Sequence, residues 1–103
     1  MDIKMEKLRD ILLTHTGKQN RITSAQIAAQ LGIIEDATYA TTRALILATA
    51  EKYEIALAAD ARGYYVISND EEYYNYMNNL DARISGICER KRIITSNYKG
   101  ENR

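Results

Sequence analysis

Few residues in this chain are equipped for chemistry, and that narrows what it can do. His15 is the one histidine and Cys88 the one cysteine, and they lie in different segments. Covalent catalysis needs a nucleophile beside a positioned base. No such arrangement, no phosphate-cradling glycine loop and no Cys-x-x-Cys or Cys/His metal set occurs. Neither an enzyme nor a cofactor is expected. His15, near a helix end, is expected to cap carbonyls or lie half-buried, and Cys88, in an apolar helical stripe, to be a small core residue. What remains is hydrogen-bonding chemistry: the hydroxyl-rich run Thr38-Tyr39-Ala40-Thr41-Thr42-Arg43, and the bases Lys18, Arg21 and Arg62.

The elements that position these residues must share one core, because 103 residues is the size of a single domain. With 46% hydrophobic and 27% charged residues, the chain is expected to fold rather than stay disordered. Net charge is zero, from 14 basic and 14 acidic residues, so the global basic footprint of a strong nucleic-acid binder is missing. Charge is uneven, however. Asp70, Glu71, Glu72 and Asp81 stand in a stretch without bases, and bases predominate from Arg83 onward. A lone cysteine fits a reducing compartment. The alternating start, Met1-Asp2-Ile3-Lys4-Met5, is unlike a signal peptide, and no run reaches membrane-spanning length, so a cytoplasmic protein without membrane contact is expected.

Met5, Leu8, Leu12 and His15, with Ile11, recur at helical intervals and predict a first helix ending near Gly17. Thr23-Ser24-Ala25-Gln26 fits a capping box, Ile27 and Leu31 lie one turn apart, and Gly32 supplies a left-handed stop. Glu35-Asp36 puts acids where the free amides of a third helix, Ala37 to about Lys52, need them. Its core stripe is either Ala40, Ala44 and Leu47 or Thr41, Leu45 and Ala48. Ile55–Ala59 and Tyr64–Ile67 flank Asp60-Ala61-Arg62-Gly63, which reads as a β-hairpin. A second capping box, Ser68-Asn69-Asp70-Glu71, starts a long last helix. Its stripe of Tyr73, Met77, Leu80, Ile84, Ile87 and Ile94 is broken only at Lys91, and the polar run from Ser96 onward reads as a frayed tail.

This order resembles the winged helix-turn-helix family, and particularly the small winged-helix proteins of phages and related mobile elements. The resemblance covers Ile22 to Ile67: Ile22-Thr23-Ser24-Ala25-Gln26-Ile27-Ala28-Ala29-Gln30-Leu31-Gly32-Ile33 opens the motif, and Arg62-Gly63-Tyr64-Tyr65-Val66 ends the wing. It implies an α+β, mostly α fold: three helices, a two-stranded hairpin wing and a long C-terminal helix. Residues 1–67 would form the winged helix-turn-helix, 68–95 a dimerisation helix of the same domain and 96–103 the tail. It also implies a transcriptional regulator that binds double-stranded DNA, with the third helix entering the major groove. By position, Thr38, Tyr39, Thr41, Thr42 and Arg43 then face bases or phosphates. Arginine can pair with guanine, threonine offers a hydroxyl and a methyl, and tyrosine can bond a phosphate. Thr23 and Ser24 would present helix-start amides to a phosphate, and Arg62, Lys18 and Arg21 would add further contacts.

Two acids at Glu35-Asp36 and the neutral total charge motivate an alternative. In it the fold is a non-catalytic protein-interaction module, such as a phage-type inhibitor of a host defence complex or a replication accessory factor. The stripe of the last helix either packs on the first helix or pairs with its copy. Its length of more than 20 residues favours a homodimer through Tyr73, Met77, Leu80, Ile84 and Ile87.

Overall fold

A computed structural model describes residues 3–35 and 38–100. Asp36 and Ala37, where the third helix was expected to open, lie outside the described residues, as do 101–103 of the expected tail. The chain is α+β and mostly helical: α1 Ile3–Leu13, a 3-10 turn Lys18–Asn20, α2 Ser24–Leu31, α3 Ala40–Lys52, β1 Leu57–Asp60, β2 Gly63–Val66 and α4 Asp70–Lys99. It divides into two compact units, Met1–Glu72 and Tyr73–Arg103.

Helix α1 buries Leu8 and Leu12, as its spacing predicts, but stops at Leu13 rather than running to Gly17. The hydroxyls of Thr14 and Thr16 donate back to the carbonyls of Ile11 and Leu13, giving the last turn local donors that compete with helix continuation. His15 is half-buried, its Nδ1 donating to the Asn20 carbonyl at 2.9 Å. Helix α2 begins on the expected box. The Gln26 amide donates to the Thr23 hydroxyl at 3.1 Å, and the Thr23 amide donates to Gln26 Oε1 at 2.9 Å. Gly32, at φ 70°, ends it with its amide on the Ala28 and Ala29 carbonyls.

Leu8, Leu12, Ile22, Ile27 and Ile46 form the fully buried centre, with Leu31, Leu45, Ile55, Leu57, Tyr64 and Val66 packed around it. Helix α3 contributes through neither expected stripe: its buried residues are Thr42, Ile46, Thr49 and Ala50. Threonine can occupy a core if its hydroxyl is satisfied, leaving the methyl to pack. The Thr49 hydroxyl donates to the Leu45 carbonyl at 2.7 Å, and the Thr42 hydroxyl to Glu35. In consequence Leu47 stands outward, 73% exposed.

β1 and β2 pair antiparallel with Leu57 opposite Val66 and Asp60 opposite Gly63, so the first arm starts two residues later and ends one residue later than the apolar run suggests. The other edge of β2 is covered too. Ile22 pairs antiparallel with Tyr64 through bonds of 2.9 and 2.8 Å, and Thr16 makes a parallel bridge to Val66. The segment between α1 and α2 thus acts as a third strand and fastens the hairpin to the helices. The approach is closest at Gly63, with φ 134°, where an added Cβ would lie 2.6 Å from the Ile22 carbonyl oxygen.

Helix α4 starts one residue later than its expected box. The cap is Asn69, whose Oδ1 accepts from the Glu72 amide at 2.8 Å, and Glu72 accepts from the Ser68 amide at 2.8 Å. Because Glu72 rather than Glu71 stands at the third helical position, its amide takes the Asn69 cap while its carboxylate reaches back one residue further, to the Ser68 amide and hydroxyl. The helix continues through Ser96 to Lys99, where a frayed tail was expected. None of its residues is buried, and Cys88 is exposed rather than a core residue.

Two glycine substitutions separate these features. Gly63→Ala must displace the Ile22 backbone and is expected to destabilise the chain by on the order of 1–3 kcal/mol. Gly86→Ala, with open space where its Cβ would go, is expected to strengthen α4 by up to about 1 kcal/mol. Urea unfolding followed by circular dichroism reads both.

Candidate functional site

The entry to α3 is built without a cap at the usual position. Tyr39, the residue before the helix, sits at φ 53° and ψ 35° and makes no side-chain cap. That left-handed conformation is uncommon outside glycine, asparagine and aspartate. The cap comes instead from Glu35. Its carboxylate accepts from the Thr41 amide and from the Thr42 amide, each at 2.9 Å, and from the Thr42 hydroxyl. A carboxylate here satisfies amides left over at a helix start and complements the positive end of the helix dipole. The expectation that Glu35 would serve the free amides of this helix is met.

This geometry sorts the residues expected to touch a ligand. Thr42 is fully buried and bonded to Glu35, so it cannot read a groove. Thr38 and Tyr39 precede α3 rather than forming its first turn, Thr38 exposed and Tyr39 half-buried. Thr41 is exposed on the helix, with its amide on Glu35. Arg43 is exposed and makes no ion pair among the described residues. Along the outer face of α3 stand Ala40, Thr41, Arg43, Ala44, Leu47 and Ala48, all exposed.

A second group gathers at the turn end of the hairpin. Arg21 gives its guanidinium to Asp60, with Nε 2.9 Å from both carboxylate oxygens and Nη2 2.5 Å from Oδ2. Nη1 donates to the Lys18 carbonyl at 2.7 Å, and the cation lies 5.2 Å from the centre of the Tyr65 ring. With its side chain 15% exposed, Arg21 is a structural clamp, and its expected phosphate contact is withdrawn. Asp60 also accepts from the Arg62 amide at 2.9 Å, which fixes the two-residue turn and leaves the Arg62 side chain exposed at the tip. Lys18 is exposed, but its amide donates to Glu72 at 2.8 Å. Asp60 thus takes the Arg21 guanidinium and the Arg62 amide, and Lys18 joins this group only through its carbonyl, on Arg21. No hydrogen bond or ion pair among the described residues ties Arg43 to them.

The Asp60 carboxyl is held below the ordinary carboxylate range, chiefly by the Arg21 hydrogen bond and further by the Arg62 amide, against the opposing effect of burial. Glu72 is likewise lowered, first by the Ser68 amide and then by the Lys18 amide. At α2 the Thr23 hydroxyl is engaged in its capping box, and Ser24 is half-buried at the first helical position. Sequence reasoning missed Asp60 as the partner of Arg21, since a contact spanning 39 residues leaves no local signal. It also missed the bridge that Glu72 makes to the 3-10 turn. Among the described residues no group of three or more His, Cys, Asp or Glu side chains could hold a metal ion, and no helix is long and apolar enough to cross a membrane.

Glu35→Ala strands the Thr41 and Thr42 amides and the buried Thr42 hydroxyl, with an expected loss of about 1–2 kcal/mol. Glu35→Gln, which keeps one acceptor oxygen, should lose less in the same urea titration. For Asp60 the sign follows from a lowered native pKa: the contribution is complete above the ordinary value of 3.8 and disappears as pH falls through the native value. Arg21→Ala is therefore expected to be less stable than the native chain near neutrality, with a gap that narrows below roughly pH 4. Thermal melts across that window read it. Comparison with family models, with curated proteins and with solved structures finds no match to this chain, so its function must be read from its own residues.

Proposed function

We propose that this chain is a winged helix-turn-helix protein that binds double-stranded DNA and regulates transcription without catalysis. The observation that carries the reading is the sidedness of α3. It turns Thr42, Ile46, Thr49 and Ala50 inward and leaves Thr41, Arg43, Ala44 and Leu47 exposed along one surface of a helix that follows a second helix and precedes a hairpin. Arginine, hydroxyl and methyl groups on such a face match the guanine acceptors and thymine methyls of a major groove. The order of elements supports it as well. A helix, a bridging residue at Ile22, two further helices and a hairpin whose second strand pairs with that residue follow the winged arrangement. Arg62 at the hairpin tip and Lys18 beside its base supply two phosphate contacts, while Arg43 faces the bases.

The same face has a second use that one observation favours. Ala40, Ala44, Leu47 and Ala48 are exposed together, and Leu47 at 73% is unusually bare for a leucine. An apolar strip bordered by few charges suits contact with another protein. In that reading α3 is a docking face and Arg43 belongs to its rim.

Titration of labelled duplex DNA at two salt concentrations separates the two uses. With two phosphates neutralised per protomer, log K is expected to fall with log salt at a slope of about −2, and twice that for two protomers on one duplex. Arg43→Ala is expected to weaken binding by about 1–3 kcal/mol and to relax one base preference in a selection experiment. Absence of binding at low salt, or binding without sequence preference, rejects the regulator and leaves the protein-docking use.

A further inference from the structure

We infer that α4 is the contact between two copies of this chain and that the two helices run antiparallel, a conclusion that stands apart from the DNA reading. Helix α4 has 30 residues, a length of about 45 Å, and from Asp81 to Lys99 every residue is exposed. A helix with no buried face draws little stability from its own chain, and one this long is held by packing of an apolar stripe. The apolar face of α1 is already spent, since Leu8 and Leu12 lie in the centre made with Ile22, Ile27 and Ile46. On α4 the stripe has coiled-coil spacing: Tyr73, Leu80, Ile87 and Ile94 recur every seven residues, with Met77, Ile84, Lys91 and Tyr98 interleaved. Met77 is 38%, Ile84 59%, Ile87 53% and Ile94 59% exposed, so the seam is bare.

Charge chooses both the occupant and its direction. The N-terminal half of α4 carries Asp70, Glu71 and Asp81, and the C-terminal half carries Arg90 and Lys91, so the helix complements its own reverse. Antiparallel alignment sets Ile84 against Ile87, Met77 against Ile94 and Leu80 against Lys91, keeping every seam residue opposite another. The Lys91 stem then covers the partner's Leu80, while its ammonium reaches the partner's Asp81 one residue along. A parallel pair would instead stack Lys91 on Lys91 inside the seam and bring the acidic ends together, which like-charge repulsion disfavours. Gly86 falls on the far side of the helix, consistent with the open space around it.

Light scattering and sedimentation on the full chain should give twice the 11.7 kDa chain mass at micromolar concentration. Ile84→Glu with Ile87→Glu should return the single mass while circular dichroism shows the Met1–Glu72 unit still folded. Lys91→Glu and Asp81→Lys should each weaken the dimer roughly tenfold, and the double exchange should restore it, because only antiparallel pairing faces these two residues. Spin labels on Asn75→Cys in a Cys88→Ser background report direction. Antiparallel helices offset the labels by about 30 Å along the axis, from 21 residues at 1.5 Å each, whereas parallel helices give no axial offset and leave only the width of the pair between them. A single mass for the native chain, or a dimer that survives the paired glutamates, overturns the interface. A short label distance, or no rescue by the double exchange, overturns the antiparallel direction.

Discussion

The pairing of Ile22 with Tyr64 is the constraint on which the first unit depends. A two-stranded hairpin alone is marginal in water, and this one has four residues in each strand. Two backbone hydrogen bonds from Ile22 close the outer edge of β2, and the Ile22 side chain sits in the buried centre, so one residue anchors both the hairpin backbone and the helical core. The glycine at 63 follows from this closeness, and the clamp of Arg21 on Asp60 reinforces the same junction, Arg21 standing next to Ile22 and Asp60 pairing with Gly63 beside Tyr64. The hairpin tip therefore hangs from a fixed base, with Arg62 carried on a turn that Asp60 itself organises.

At the other end of the unit, Glu35 solves a problem created by Tyr39. A residue in the left-handed region cannot offer the extended backbone and short polar side chain that ordinarily close a helix start. The carboxylate of Glu35 reaches forward to the amides a cap would serve and also takes the Thr42 hydroxyl, so one side chain satisfies the helix start and permits a threonine in the core. That buried threonine fixes the rotation of α3. With Thr42 and Thr49 turned inward, Arg43 and Leu47 must turn outward, and the character of the exposed face is a consequence of the cap.

Features governed by short-range stereochemistry were legible in the sequence. The box at Thr23 and Gln26, the glycine stop at Gly32 and the turn from Asp60 to Gly63 each need only residues three or four apart, and each stands where its spacing indicates. The stripe of α3 was not legible, because a threonine counts as polar until its acceptor is known. The Leu45 carbonyl and the Glu35 carboxylate that satisfy Thr49 and Thr42 follow from the folded backbone, not from periodicity. Arg21 reads as a free cation for the same reason, its partner lying 39 residues away. Cys88 was misjudged in the opposite sense: a stripe marks a face that seeks apolar cover, and within one chain α4 has no buried residue. Of the ten residues expected at a nucleic-acid surface, geometry removes Thr42 and Arg21 and moves Thr38 and Tyr39 off the helix, while Thr41, Arg43, Arg62 and Lys18 stay exposed.

These subtractions change the balance between the two halves of the chain. On the proposed DNA reading, once Arg21 is committed to Asp60 the first unit offers Lys18 and Arg62 to phosphates and Arg43 to a base, and so few phosphate contacts would give weak, salt-sensitive association. A neutral chain cannot compensate through its overall field, since 14 acids offset 14 bases. The pairing inferred for α4 would compensate without any new residue, because the second protomer's contacts would become intramolecular once the first is engaged and effective concentration would replace bulk concentration. The bare seam of α4 and the sparse cations of α3 and the hairpin are therefore linked by one requirement. A domain with so few contacts of its own gains most from being joined to a copy, and α4 carries the apolar face and opposed charges that joining requires.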